Sequence, residues 1–113
     1  ASCYYLVIAL ADTGERVGSC CMFPDETGKI YDIGYCIHRK FWRRGYGSEA
    51  LRLMLDWMKA QGAEKVTAEV AIENVPSNRL LERLGFVVEK RAEFHKYHMD
   101  ISFDSYIYGK KLL

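Results

Sequence analysis

Short apolar runs, each closed by turn residues, dominate the first third of the chain. "YYLVIAL" (residues 4–10) is rich in β-formers and runs into "ADTGER"; "VGSCCMF" (17–23) runs into "PDETGK", and "IYDIGYCIH" (30–38) follows. Three strands joined by turns this short pair antiparallel, because a parallel pair needs a crossover of about a dozen residues. The period then changes. Over 47–62, Ala50, Leu51, Met54, Leu55 and Met58 form an i, i+3, i+4 stripe, with Arg52, Asp56 and Lys59 elsewhere on the surface. Ser48 is placed to cap that helix and Gly62 to end it. Residues 65–73 alternate as a strand, with Val66, Ala68, Val70 and Ile72 on one face and Thr67, Glu69, Ala71 and Glu73 on the other. A short helix is expected over 74–85, with Pro76 in its first turn and Gly85 as its stop. "FVVEKRAEF" and "FDSYIYGKKL" predict two final strands, joined by a polar stretch holding His95 and His98. The expected class is α/β of the α+β kind: a mostly antiparallel mixed sheet with flanking helices, forming one domain over 1–113.

Composition narrows this little. Half the residues are hydrophobic, 27% are charged and the net charge is +1, so no global field favours nucleic acid or membrane as partner. No apolar run approaches the ~20 residues that span a bilayer, and no leader peptide is visible. Cys3, Cys20, Cys21 and Cys36 form no C-x-x-C pair and have no histidine at ligand spacing, so no metal is expected. Cys20 and Cys21, adjacent in a strand, face opposite sides. Buried free thiols in a reducing compartment are the expectation, which points to the cytoplasm.

"RRGYGSEA" (43–50) carries the first chemical question. Gly45, Gly47 and Ala50 satisfy G-x-G-x-x-A, and Glu69 follows in the next strand, which is the dinucleotide fingerprint. Against NAD stand the residues Arg39 to Arg44 between strand and glycines, the antiparallel start, and a tail too short for further βα units. The alternative is a pyrophosphate held by free N–H groups and the positive end of a helix dipole. Arg39, Lys40, Arg43 and Arg44 concentrate four cations within six residues beside that turn. An ordinary solvated basic loop is the plainer reading of the same residues.

"YCIHRKFWRRGYGSEAL" resembles the acyl-CoA-binding segment of the GNAT N-acetyltransferases, with Trp42 where many members carry Gln or Arg. Tryptophan there, with "GY" and "EAL" after it, is similar to the branch that acetylates ribosomal protein N-termini. "NVPSNRLLERLGF" (74–86) resembles the family's Asn-x-x-Ser helix ending in Leu-Gly-Phe, and "FDSYIYGKKL" resembles that branch's last strand.

The resemblance implies a GNAT acyl-CoA N-acyltransferase fold with a splayed strand pair, and direct transfer of acetyl from acetyl-CoA to an amine. Cys36 and Ile37 are then the main-chain partners of pantetheine, and Arg43, Arg44, Gly45, Tyr46, Gly47 and Ser48 hold the pyrophosphate. Asn74 bonds pantetheine or caps its helix, two compatible roles. Glu69 is the first candidate base, a solvent-facing glutamate being the alternative, and Asp32 is the second. Leu81 stands where the family often has an acidic tyrosine, which leaves Ser77, or water, as proton donor. Tyr97, His95 and His98 are candidates for an acceptor site or plain surface. The acceptor implied is a small amine or a protein N-terminus.

The family's usual first strand and two helices have no counterpart here. Their absence implies an uncovered sheet edge and face, and so association into a homodimer. A catalytically inactive CoA-binding or dimerising remnant is therefore the second functional reading. RNA binding by "HRKFWRR" is a third, and would show strong salt dependence.

Overall fold

The structure, a computed structural model, describes residues 3–42, 44–96 and 101–112, with the backbone alone for 94–96 and 101–103. In chain order it comprises β1 (Tyr4–Ala9), β2 (Arg16–Pro24), β3 (Ile30–Ile37), a 3₁₀ turn (Arg39–Phe41) and α1 (Tyr46–Ala60). There follow β4 (Lys65–Ala71), α2 (Val75–Arg83), β5 (Val87–Lys96) and β6 (Ile101–Lys111). One six-stranded sheet has the order β1-β2-β3-β4-β6-β5. The opening meander is antiparallel, as the short turns require, and β3–β4 pair in parallel across the α1 crossover. The mixed α/β class read from the sequence is the class found.

What positions the site is where the parallel pairing stops. The β3–β4 register runs from Ile30↔Lys65 to Ile33↔Ala68 and ends there. Yet β3 continues to Ile37 and β4 to Ala71, so the two strands part and leave a gap.

Both helices lie on one face of the sheet, over a single core. Leu51, Met54, Leu55 and Met58 of α1 and Leu80 and Leu81 of α2 meet Met22, Ile33, Val66, Ala68 and Tyr108 there. The helical stripe and the alternation in β4 account for these contacts directly. The opposite face carries Tyr5, Cys21, Asp32, Thr67 and Glu69 and has no helix on it among the described residues.

Three expectations change. Ser48 does not cap α1; it is the third helical residue, and Gly45, left-handed at φ 81°, holds the N-cap position without a capping side chain. Of the four thiols, all free, only Cys20 is buried; Cys3, ahead of β1, is exposed, and so is Cys36, because β3 turns that position to the face without a helix. The polar stretch around His95 is paired strand backbone, with His95 opposite Ser102. Gly62 (φ 96°) and Gly85 (φ 90°) end their helices as anticipated.

Candidate active site

A cleft of about 880 Å³ opens where the parting end of β3, the start of α1 and the start of α2 converge. Seven of the site residues singled out from the sequence line it: Cys36, Ile37, Tyr46, Gly47, Ser48, Asn74 and Ser77. Gly45 and Arg44 sit just outside its lining, Arg44 with its guanidinium 5.7 Å from the Phe41 ring centre. Arg43, Tyr97, His98 and the side chain of His95 lie outside the described residues.

The start of α1 is built to receive an anion. Its first bond of helical spacing runs from Glu49 N–H to Gly45 O at 3.0 Å. The N–H groups of Tyr46, Gly47 and Ser48 have no acceptor within the helix, and no side chain caps them. Gly47 packs closely here: a Cβ would stand 3.2 Å from Leu80 Cδ2, so any larger residue requires that side chain to shift by a few tenths of an ångström. Trp42 holds the loop to the sheet, its indole N–H donating to Ile37 O at 2.8 Å. Of the remaining cations, Lys40 is paired with Glu15 at 3.6 Å, and Arg39 lies 5.9 Å from the Trp42 ring centre.

The strand edge facing the gap is set by how β3 pairs with β2. His38 N–H donates to Val17 O at 2.7 Å, which sets the alternation of the β2–β3 ladder. With Ser19 opposite Cys36 and Gly18 opposite Ile37, that alternation turns the main-chain groups of Cys36 toward β2. The groups of Tyr35 and Ile37 turn toward the gap. Gly18 agrees with this, since a Cβ there would lie 2.0 Å from Cys36 O. Cys36 is thus corrected: its backbone serves the sheet, and Tyr35 takes its place at the gap because a strand's bonding direction alternates with each residue.

On the α2 side, Asn74 accepts from Ser77 N–H at 3.4 Å, the capping role expected of it. The residue that anchors this corner is one the sequence reading passed over. Asn78, buried, donates through Nδ2 to the carbonyls of Asn74 (2.9 Å), Ala71 (3.1 Å) and Ile72 (3.1 Å). Its Oδ1 accepts from Tyr108 Oη at 2.7 Å. These bonds tie the start of α2 to the end of β4, beside the gap. Arg79 and Arg83, one turn apart on α2, also line the cleft, and their i, i+4 spacing was the sequence signal for them.

Glu69 and Asp32 lie on the other face, across the sheet from the cleft. Glu69 follows the last β3–β4 pair by one residue, is exposed, and accepts from the buried Ser105 hydroxyl at 2.5 Å. Asp32 accepts from Thr67 Oγ1 at 3.0 Å. Burial raises the Asp32 carboxyl above the ordinary carboxylate value, the Thr67 bond lowers it in part, and the negative Glu69 raises it again. The gap is therefore open on one side to the cleft at the start of α1 and on the other to two carboxylates. Such an arrangement can hold an extended phosphate-bearing chain through the sheet, with a proton acceptor at its far mouth.

Comparison with known proteins agrees with this geometry. The family model described as an acetyltransferase (GNAT) domain matches residues 1–87. The uncharacterized N-acetyltransferase YjdG of Bacillus subtilis is 30% identical over 94 residues, covering 80% of this chain and 55% of that protein. A GNAT-family acetyltransferase from Bacillus anthracis superposes with TM-score 0.84 at 25% identity, over 95% of this chain and 65% of that one. The ribosomal-protein-S5-alanine acetyltransferase from Vibrio fischeri shares the fold, with TM-score 0.85 at 23% identity over 96% of this chain and 61% of that one. The chain spans about half the length of the curated relatives it matches.

Proposed function

The chain belongs to the GNAT family of acetyltransferases, and we propose that it moves an acetyl group from acetyl-CoA to a primary amine, a protein N-terminus or a small amine. The observation that carries the reading is the gap itself: an uncapped helix start and two parting strands on one side, Glu69 on the other.

The residues present fit such a ligand. The N–H groups of Tyr46, Gly47 and Ser48 hold the pyrophosphate, with Arg44 as a nearby cation. The main-chain groups of Tyr35 and the N–H of Ile37, whose carbonyl accepts from the Trp42 indole, pair with the pantetheine amides, and Asn74 is within the same cleft. Arg79 and Arg83 offer the opposite wall to the remaining phosphate. Bound acetyl-CoA supplies the thioester carbonyl that the amine attacks. Glu69 removes the ammonium proton, directly or through water, and Ser105 fixes the orientation of its carboxylate. Asp32, held by Thr67, keeps that mouth negative and favours a cationic amine in its approach.

The ribosomal-protein acetyltransferase among the similar folds supports a protein N-terminus as acceptor, and the uncovered sheet face around Glu69 has room for one. The proposed setting is cytoplasmic. Calorimetric titration with acetyl-CoA, with NAD as control, tests the ligand; acetyl transfer to a panel of short peptides and small amines tests the reaction. Saturable binding of acetyl-CoA alone, with turnover on one acceptor class, is the expected result. Binding without turnover on any amine would favour the inactive CoA-binding reading, to which Leu81 at the usual tyrosine position lends support. Binding of NAD instead would overturn the proposal.

A further inference from the structure

The cleft holds a hydroxyl with nothing to bond. Tyr35 Oη is buried and has no hydrogen-bond partner among the described residues. Buried donors are nearly always satisfied, so an orphan on a residue that lines a ligand-sized cleft points to an acceptor that the ligand brings. Tyr35 lies two residues past the last β3–β4 pair and lines the cleft together with Ile37, Asn74 and Ser77. Leu81, at the position where a proton donor was sought, is fully buried in the core at 0% exposure and has no proton to give.

Resting on the acetyl-CoA reading, we infer that Tyr35 Oη donates a hydrogen bond to the thioester sulfur and its proton to the departing thiolate. The amine nitrogen bonds to the acetyl carbon, the C–S bond breaks with its electron pair on sulfur, and the Tyr35 proton moves to that sulfur. The products are the amide, CoA thiol and a Tyr35 phenolate, which recovers its proton from water. The amine's own proton leaves on the opposite side, toward Glu69.

Burial raises the Tyr35 hydroxyl above its ordinary value, so it is protonated and able to donate at neutral pH. Ser77 lies close enough to pull the other way, though it completes no hydrogen bond to Oη. Ser77 is then a neighbour of the donor, and the sulfur is served by the tyrosine.

The test compares the unmutated chain with Tyr35→Phe and with Tyr106→Phe as a control tyrosine, each saturated with CoA. The thiol of bound CoA is titrated by its thiolate absorbance. A donor aimed at sulfur stabilises the thiolate, so Tyr35→Phe should lower the thiolate fraction at a given pH about tenfold, while Tyr106→Phe leaves it in place. Turnover of Tyr35→Phe should fall in kcat with KM for acetyl-CoA unchanged. Coincident thiol titrations in proteins that all bind CoA would overturn the assignment of Tyr35 alone. Failure of all three to bind CoA would overturn the acetyl-CoA reading and this assignment with it. Desulfo-CoA, which lacks the acceptor atom, should bind the unmutated chain more weakly than CoA; equal affinity would also count against Tyr35.

Discussion

At the scale of single residues, two carboxylates on the uncovered face separate by role. Glu69 stands at the mouth of the gap, so Glu69→Gln should lower kcat by about 10²–10⁴-fold with acetyl-CoA affinity unchanged. Steady-state kinetics beside calorimetry would check it, and an equal loss of affinity would move Glu69 from base to binding residue. Asp32 makes a stability prediction with a definite sign. Its carboxyl is raised above the ordinary 3.8, so the folded protein binds this proton more tightly than the unfolded chain does. That contribution is fully present below pH 3.8 and is lost as pH rises through the raised value, leaving an ionised Asp32 that costs stability near neutrality. Asp32→Asn should therefore raise Tm at pH 7 and leave it unchanged at about pH 3, as thermal melts at the two pH values would show. The face that Glu69 takes was legible in the alternation of residues 65–73, whereas Asp32 was singled out only through the family resemblance. Tyr35 was not, since a tyrosine in an apolar strand gives no sign that its hydroxyl lacks a partner.

At the scale of elements, the corner between β4 and α2 depends on one buried amide. Asn78→Ala removes the bonds to Asn74, Ala71 and Ile72 and strands the Tyr108 hydroxyl. Each group left buried and unpaired costs about 1–3 kcal/mol, so a fall in stability of about 3 kcal/mol is expected by chemical denaturation. Acetyl-CoA binding should weaken along with it, because the same bonds seat Asn74 and Ser77. Gly18 plays a comparable part for β2 and β3. Gly18→Ala drives a Cβ against Cys36 O, and the required backbone shift should cost about 1–3 kcal/mol and loosen the edge that Ile37 presents. The elements themselves were readable, since their periods are set by hydrogen bonding within a helix or pleating within a strand. Their ends were less so: the expected Ser48 cap is replaced by a left-handed Gly45. The sequence allows either residue to start the helix, and the exit direction of the preceding loop, held by Trp42 on Ile37, chooses between them.

At the scale of the whole molecule, one sheet face is packed under both helices and the other carries no helix among the described residues. Tyr5 and Val7 of β1 are 73% and 56% exposed, and Tyr5 stacks edge-on against Phe23 at 5.7 Å. An apolar face of this kind favours association. Sedimentation velocity over a concentration series should show this chain self-associating, and Tyr5→Ser with Val7→Ser should return it toward monomer. A compact monomer at high concentration in the unsubstituted chain would sink that expectation. The strand order, the parallel β3–β4 pair and the side of the sheet taken by both helices follow from burying the stripe of α1 and the alternating face of β4 together.

The sequence by itself determined the kinds of elements, the glycine turn that opens α1, the Asn74 cap and the face that Glu69 occupies. All of these rest on interactions between near neighbours in the chain, where spacing alone specifies direction. Only the tertiary structure decided that Cys36 serves the sheet while Tyr35 and Ile37 face the gap, that Asn78 ties α2 to β4, and that the buried Tyr35 hydroxyl has no partner among the described residues. Those facts depend on which strands pair, in what register, and where the pairing stops. They are relations between residues far apart in the chain, and no local pattern carries them.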